Sequence, residues 1–178
     1  MKRRIRQFFR AIFARVGPAD RQYVRTWLPE SELQQLFWEM AEPDQFHALH
    51  TAYTAERILN DTADAAKILV DRRLLIRAAL LHDIGRARGT LGTLGKTAAV
   101  LLDYFFPQWA RRRGDHPPEG GILSAKLYVY FHHPVLGAEK LRRVGYAREA
   151  AIILRHHALP AESDPVELIL LRRADALN

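Results

Sequence analysis

Apolar residues recur along this chain with the three- and four-residue spacing of amphipathic helices. The clearest stripe is Leu75, Ala78, Ala79 and His82, on one side of a helix predicted at about 71–84. Similar stripes predict helices at about 31–40, 44–59, 98–106, 134–143, 147–157 and from 165 onward. No stretch shows a convincing two-residue alternation of the kind that marks a strand. The pattern therefore predicts an all-α fold, a bundle of about seven helices.

For two of these helices, the predicted first or last residues decide how nearby histidines are placed. We expect Pro134 in the first turn of its helix, because proline lacks the N–H that a helix interior uses. The next helix is expected to run through His156 and His157. Each of these histidines follows an isoleucine by four residues, which predicts that both imidazoles lie on a buried side.

Residues 1–16 form a further apolar stripe that is flanked by arginines and ends at Gly17 and Pro18. We expect a basic amphipathic N-terminal helix over residues 1–17, followed by one domain over residues 18–178. Such a helix either lies on an anionic membrane surface or packs on its own domain or on a second subunit, which would give a homodimer.

Glycine and proline are frequent in the segment 89–121, which predicts an inserted lid over the functional site. Its single apolar stretch, at about 98–106, is followed by Trp109 and by three consecutive arginines at 111–113. An aromatic segment that ends in arginines would either contact lipid or close over a phosphorylated ligand. The third interpretation is a solvated basic loop over an ordinary helix.

Composition limits the kinds of functional site that the chain can form. The 178 residues have room for one domain with a core, and 48% of them are hydrophobic. The absence of cysteine excludes disulfides and thiolate metal sites. The net charge of +7 would attract anionic partners, although simple solubility explains it equally well. With no apolar run of about 20 residues and no signal peptide, we expect a cytoplasmic protein, with peripheral membrane contact through residues 1–16 as an option.

Candidate chemistry begins at His82 and Asp83, an imidazole beside a carboxylate at the end of a buried run. Leaving either polar group there without a partner costs several kcal/mol, and a divalent metal would satisfy both. The other predicted helices offer further ligands at their inner edges or ends, which are His47, His133, His156, His157 and Asp175. A helical wheel favours His47 and leaves His50 as the alternative. Beside His133, the alternative ligand is His132.

This many nitrogen and oxygen ligands exceed the needs of one tetrahedral ion, so we expect two divalent metals, with a single ion as the alternative. Asp83 is the natural bridge. One ion would be held by His47, His82 and Asp175, and the other by the three remaining histidines. Such ligands suit Fe or Mn first, then Zn, Co or Ni. The aspartates would neutralise only part of the charge of the two ions, and the remaining positive charge would attract phosphate. A water shared by the two ions would be hydroxide near neutral pH.

The motifs FHALHTAYTA, AALLHDIGR, HHPVLGAEKL, ILRHHALP and RRADALN resemble, over about residues 40–178, the HD-domain superfamily of metal-dependent phosphohydrolases. The order of ligands is similar to the HDIG-type branch with a binuclear centre, which includes HD-GYP and membrane-anchored cyclic dinucleotide phosphodiesterases. Arg86 stands where that branch usually has a lysine that contacts phosphate, and the segment after His157 lacks the Gly-Tyr-Pro loop. Cyclic di-GMP is therefore not implied as the substrate.

The resemblance implies that residues 18–178 form an HD domain that hydrolyses a phosphomonoester or phosphodiester of a nucleotide-like or other small phosphorylated substrate. A metal-bridging hydroxide would be the nucleophile, with Asp83 and Arg86 as the catalytic residues. Two alternatives belong to other classes. One is a di-iron HD-type oxygenase, and the other is a non-catalytic regulatory module that docks to a membrane or partner. We expect no specific nucleic-acid binding.

Overall fold

The computed structural model describes residues 15–61, 69–86, 93–115 and 121–178, and within these ranges it contains helices and no strand. The all-α prediction is confirmed. The described part has nine helices rather than about seven. These are α1 (Pro18–Trp27), α2 (Ser31–Trp38), α3 (Glu42–Asn60), α4 (Arg72–Leu81), α5 (Thr93–Phe105), α6 (Pro107–Gly114), α7 (Ile122–Arg143), α8 (Ala147–Leu154) and α9 (Val166–Leu177).

The α4 helix lies at the centre of the main core. It packs against α1, α2, α3, α8 and α9, and every residue from 74 to 81 is buried. Asp71 begins the helix, because its carboxylate accepts a hydrogen bond from the backbone N–H of Leu74 at 3.0 Å. The buried Arg77 is paired with Glu30 at 2.6 Å. The segment that ends in His82 and Asp83 is therefore enclosed from several sides.

The pattern missed two helices. Residues 18–27, which follow the predicted stop at Gly17, form α1, where Pro18 occupies the first turn and Val24 is the buried residue. Residues 107–114, predicted as the end of a loop, form α6. Few of the apolar side chains in these two short helices are buried, so their sequences carry a weak periodic signal.

The prediction for Pro134 is wrong. The α7 helix begins twelve residues earlier, at Ile122, and Pro134 lies inside it. Proline in a helix interior removes the hydrogen bond to the carbonyl four residues before it, which here is the carbonyl of Tyr130. That carbonyl accepts a hydrogen bond from the side chain of His133 instead, at 2.9 Å.

The prediction for His156 and His157 also needs correction. The α8 helix ends at Leu154, so both histidines lie in the turn that follows it, and only His156 is buried. His157 is exposed to solvent. Helical spacing from Ile153 no longer applies beyond the end of the helix.

The predicted lid segment is represented by α5 and α6, which pack on each other and on α7. A small core joins them, formed by Ala99, Ala110 and Leu127. The predicted N-terminal helix falls outside the described residues over 1–14, as does the segment 89–121 over 89–92 and 116–120. Among the described residues, no helix combines the length and apolar character needed to cross a bilayer.

Candidate metal centre

Three buried histidines share one way of fixing their side chains. His82, His133 and His156 each donate their Nδ1–H to the backbone carbonyl three residues earlier, at 2.9, 2.9 and 2.6 Å. The acceptors for His82 and His156 lie in the last turn of α4 and α8, where carbonyls lack an intrahelical donor. The third acceptor is the carbonyl that Pro134 leaves without its usual donor. In all three rings Nε2 is then the unprotonated acceptor, the state that binds a metal.

One group of potential ligands joins α3, the end of α4 and α9. His47, His82 and Asp175 each offer one ligand atom, and these atoms lie within 4.8 Å of one another. His47 Nε2 is 2.9 Å from Asp175 Oδ1, and the same oxygen is 3.7 Å from Nε2 of His82. The side chains of His47 and Asp175 are 26% and 21% exposed, so this group opens toward solvent on one side.

A second group joins α7 to the turn after α8. His133, His156 and His157 offer ligand atoms within the same 4.8 Å limit. The ring centroid of His133 lies 5.3 Å from that of His156 and 5.1 Å from that of His157. The two groups are neighbours, because the rings of His82 and His156 are 5.3 Å apart.

Asp83 lies between the two groups. Its Oδ1 is 3.4 Å from Nε2 of His133, and its Oδ2 is 3.7 Å from Nε2 of His82. Arg86 adds a positive charge at the same point, since its Nη1 donates to Oδ2 of Asp83 at 2.5 Å and its Nη2 donates to Nε2 of His133 at 3.0 Å. The structure thus brings all seven predicted ligands and Arg86 into one region.

The protonation states suit cation binding. Burial, together with the nearby imidazoles of His82 and His157, lowers the pKa of His156 to about 3. Burial and the Arg86 guanidinium hold the pKa of His133 well below its ordinary value. Burial alone would raise the pKa of Asp175, but the hydrogen bond from His47 and the nearby imidazoles outweigh it and lower that pKa. Near pH 7 the centre therefore presents neutral imidazoles at His133 and His156 and an ionised carboxylate at Asp175.

Two buried nitrogens test whether a metal fits this region. Nε2 of His82 and Nε2 of His156 have no hydrogen-bond partner among the described residues. Leaving a buried polar atom unpaired costs about 1–3 kcal/mol. A divalent ion would satisfy these nitrogens, and imidazoles with carboxylates are a donor set that Fe, Mn and Zn accept. The residues present fit such ions.

The alternative histidines lie in different surroundings. His50 packs against Phe46 and Tyr53, with ring centroids 4.2 and 6.0 Å away. His132 stacks on Tyr128 at 4.4 Å and donates to the carbonyl of that residue. Neither belongs to a group of potential ligands among the described residues. The geometry favours His47 and His133.

A family model for the HD domain matches residues 46–178, which is most of the chain. The chain belongs to the HD domain family. Members of this family are typically metal-dependent hydrolases and bind divalent metals. Comparisons with curated proteins and with solved structures found no match. In this HD domain the matched region includes all seven predicted ligands.

Two residues that position the HD centre were missed by sequence reasoning. Arg172 donates to the carbonyls of Arg155 and His156, at 2.7 and 3.3 Å, and so holds the turn that carries the two histidines. Arg172 is itself held by Asp164, at 2.5 Å. An arginine three residues before Asp175 was the available signal, because that spacing puts both on neighbouring positions of one helix.

The structure shows why position 85, in the turn after α4, is a glycine. A Cβ at this position would lie 2.1 Å from the carbonyl oxygen of His133. Gly137, one turn further along α7, is also tightly packed, since its Cβ would lie 3.2 Å from the backbone nitrogen of Gly85. Close backbone approach, rather than an unusual φ, therefore explains the glycine that follows Ile84.

Proposed function

We propose that this HD domain hydrolyses a phosphomonoester or phosphodiester of a nucleotide-like or other small phosphorylated substrate, with two divalent ions at the centre. The observation that carries the proposal is the pair of ligand groups on either side of Asp83. His47, His82 and Asp175 would hold one ion, His133, His156 and His157 would hold the other, and Asp83 would contact both. Fe or Mn are the expected ions, with Zn, Co or Ni as alternatives.

When bound, such ions supply Lewis acidity toward phosphoryl oxygens and acidify water into a nucleophile. The protein's own residues then have separate roles. Burial of His82, Asp83, His133 and His156 limits the access of bulk water, which strengthens electrostatic interactions inside the centre. The Nδ1 hydrogen bonds keep the three anchored imidazoles in the ligating tautomer.

Arg86 is the residue best placed to contact the substrate. Arg86 as a whole is 8% exposed. Its guanidinium reaches both Asp83 and His133, so it lies beside the point where the two ligand groups meet. A guanidinium can donate two parallel N–H groups to a phosphate. We expect it to stabilise negative charge on the phosphoryl oxygens during hydrolysis.

The exposed side of the centre indicates the direction of substrate approach. His157 is exposed, and His47 and Asp175 are partly exposed, whereas the ligands between them are buried. A phosphoryl group approaching from this side would reach the centre without displacing a core residue. The rest of the substrate would remain toward solvent, near α3, α9 and the turn after α8.

The test is a hydrolysis assay with the full chain, stripped of metal and reloaded with Mn or, without oxygen, with Fe(II). The substrates are phosphomonoesters and nucleotides, followed by release of inorganic phosphate, and linear phosphodiesters and cyclic dinucleotides, followed by chromatography of the phosphomonoester or linear product. We expect metal-dependent hydrolysis of at least one class. Replacing Arg86 by alanine should lower kcat about 100-fold, the usual effect of removing one charge-stabilising donor. The exposed Arg142→Ala should behave as wild type and serves as the matched control.

Three results would count against hydrolysis. One is an absence of hydrolysis of every monoester and diester with either metal although both ions are bound. Another is an Arg86→Ala variant that keeps its full kcat. The third is substrate-dependent oxygen consumption by the iron-loaded protein, which would favour the oxygenase alternative instead.

A further inference from the structure

Aromatic side chains are exposed around the turn between α5 and α6. Tyr104, Phe105 and Phe106 are 73%, 64% and 61% exposed, and Trp109 on α6 is exposed as well. Folded domains bury most of their large aromatic residues, so four exposed within six positions mark a surface that contacts something else. We refer to α5 and α6, which pack on each other, as the hairpin. We call the four aromatic residues, together with the arginines at 111–113, the hairpin patch.

The aromatic residues of the hairpin patch are not needed by the hairpin's own core. That core uses Ala99 and Ala110 against Leu127 of α7, with Leu102 packed beside them. Tyr104 lies two positions after Leu102, on a different side of α5, and Phe105 is the last residue of that helix. Their rings contact each other at 5.0 Å. The hairpin is thus already anchored to α7 through one face and presents the aromatic residues on another.

Positive charge accompanies the aromatic residues. All three arginines at 111–113 are exposed on α6, and the guanidinium of Arg113 lies 5.5 Å from the ring centre of Trp109. The acidic residues described in the hairpin are Asp103, which lies near the hydroxyl of Tyr130 at 3.4 Å, and Asp115. The patch as a whole is therefore cationic.

We propose that the hairpin patch docks this protein onto a membrane surface that contains anionic lipids. Tryptophan and tyrosine favour the boundary between headgroups and acyl chains, and arginine pairs with lipid phosphates. A second copy of the chain is the less suitable occupant. Two patches placed face to face would bring six arginines together, in a chain that already carries a net charge of +7.

The test is sedimentation of the full chain with vesicles of phosphatidylcholine, with or without phosphatidylserine, at low and high salt. We expect binding to the anionic vesicles, much weaker binding to the neutral ones, and a decrease with salt. The triple variant Arg111→Gln, Arg112→Gln and Arg113→Gln should bind at least tenfold more weakly, because each arginine near an anionic surface contributes about fivefold. The double variant Phe105→Ser and Phe106→Ser should weaken vesicle binding by a similar factor.

Matched controls separate the patch from net charge and general apolar exposure. The triple variant Arg25→Gln, Arg142→Gln and Arg143→Gln removes the same charge from other exposed positions. The double variant Leu159→Ser and Ile169→Ser removes two other exposed apolar side chains. Both controls should bind vesicles as the unchanged protein does. Far-ultraviolet circular dichroism and urea midpoints would show that every variant is folded.

Several outcomes would overturn the proposal. One is equal binding to neutral and anionic vesicles, or no binding to either. Another is full binding by both patch variants with loss in Phe8→Ser, Phe9→Ser, which would assign the contact to residues 1–14. A third is concentration-dependent dimerisation that the aromatic patch variant abolishes while vesicle binding persists, which would make the aromatic surface an interface between two copies.

Discussion

At the scale of single residues, the centre depends on which ring nitrogen of each histidine is occupied. The carbonyls of Ala79, Tyr130 and Ile153 each accept an Nδ1–H, and this leaves Nε2 directed away from the backbone. Two of these carbonyls are available because a helix ends nearby, and the carbonyl of Tyr130 is available because of Pro134. Backbone features thus set the side-chain chemistry.

Replacing Pro134 by alanine should weaken metal binding without unfolding the protein. The alanine supplies an N–H that competes with His133 for the carbonyl of Tyr130, so the imidazole loses the bond that orients it. We expect the affinity for the ion on the His133 side to fall about tenfold or more. Stability should hold or rise, because alanine favours a helix interior more than proline does. Isothermal titration with Mn and urea unfolding measure the two effects.

Pro43→Ala is the matched control for this variant. Pro43 lies in the first turn of α3, where the backbone N–H has no intrahelical acceptor. Its replacement should leave metal affinity unchanged. If Pro134→Ala bound both ions as tightly as the control does, the tautomer would not depend on the proline.

The buried imidazoles also predict how the metal-free protein responds to acid. The pKa of His156 is about 3 in the folded protein, and that of His133 is likewise lowered, whereas in the unfolded chain both are near 6.5. Between these values the unfolded chain binds more protons. Stability is therefore fully present above pH 6.5 and is lost as the pH falls, by about 1.4 kcal/mol per pH unit for each imidazole.

Urea unfolding of the chelator-treated protein from pH 7.5 to pH 5 measures this loss. His156→Asn should reduce the pH dependence, because one of the two imidazoles no longer titrates. A free energy of unfolding that is constant over this interval would show that the rings are not held neutral in the folded protein.

At the scale of elements, the contact between the turn after α4 and α7 sets the spacing of the two ligand groups. The backbone of Gly85 lies against that of His133, and Gly137 keeps the same face of α7 free of side chains. Lys140, further along α7, donates to the carbonyl of Ile84 at 3.0 Å. Asp83 can reach both groups only while this contact is close.

Gly85→Ala should therefore both destabilise the fold and separate the ligand groups. The added Cβ would overlap the carbonyl of His133, so the turn and α7 must move apart. We expect a loss of about 1–3 kcal/mol in the free energy of unfolding and weaker binding of the ion on the His133 side. Gly17→Ala is the control, because its Cβ would lie at an ordinary 3.5 Å from Asp20. Equal urea midpoints for the two variants would contradict the close approach.

The sequence predicted those elements whose apolar stripe faces the core. The α4 helix was predicted because its buried face has regular spacing, and the same spacing placed His82 at its inner end. The position of Pro134 inside α7 was not predictable from local rules, because packing of α7 against its neighbours compensates for the lost hydrogen bond. Arg172 was recognisable as a neighbour of Asp175 on α9, but its contacts with the turn after α8 join two separate elements, which helical spacing does not reveal.

At the scale of the whole molecule, the centre joins distant parts of the chain. Its potential ligands come from α3, the turn after α4, α7, the turn after α8 and α9, and they span residues 47–175. The unfolded chain has no such constellation, so metal binding should stabilise the folded state, and chelation should lower the free energy of unfolding. The hairpin patch lies on α5 and α6, which pack on α7. The proposed membrane-docking surface and the centre therefore share one supporting helix.

The most direct measurement of the central claim is the metal content of the full chain, by mass spectrometry after equilibration with excess Mn or Fe(II) and gel filtration. The account predicts two ions in the unchanged protein. His133→Ala and His47→Ala, which each alter one ligand group, should each retain one ion. The unchanged protein binding one ion or none, or both ions surviving in these variants, would contradict a centre built from two ligand groups that meet at Asp83.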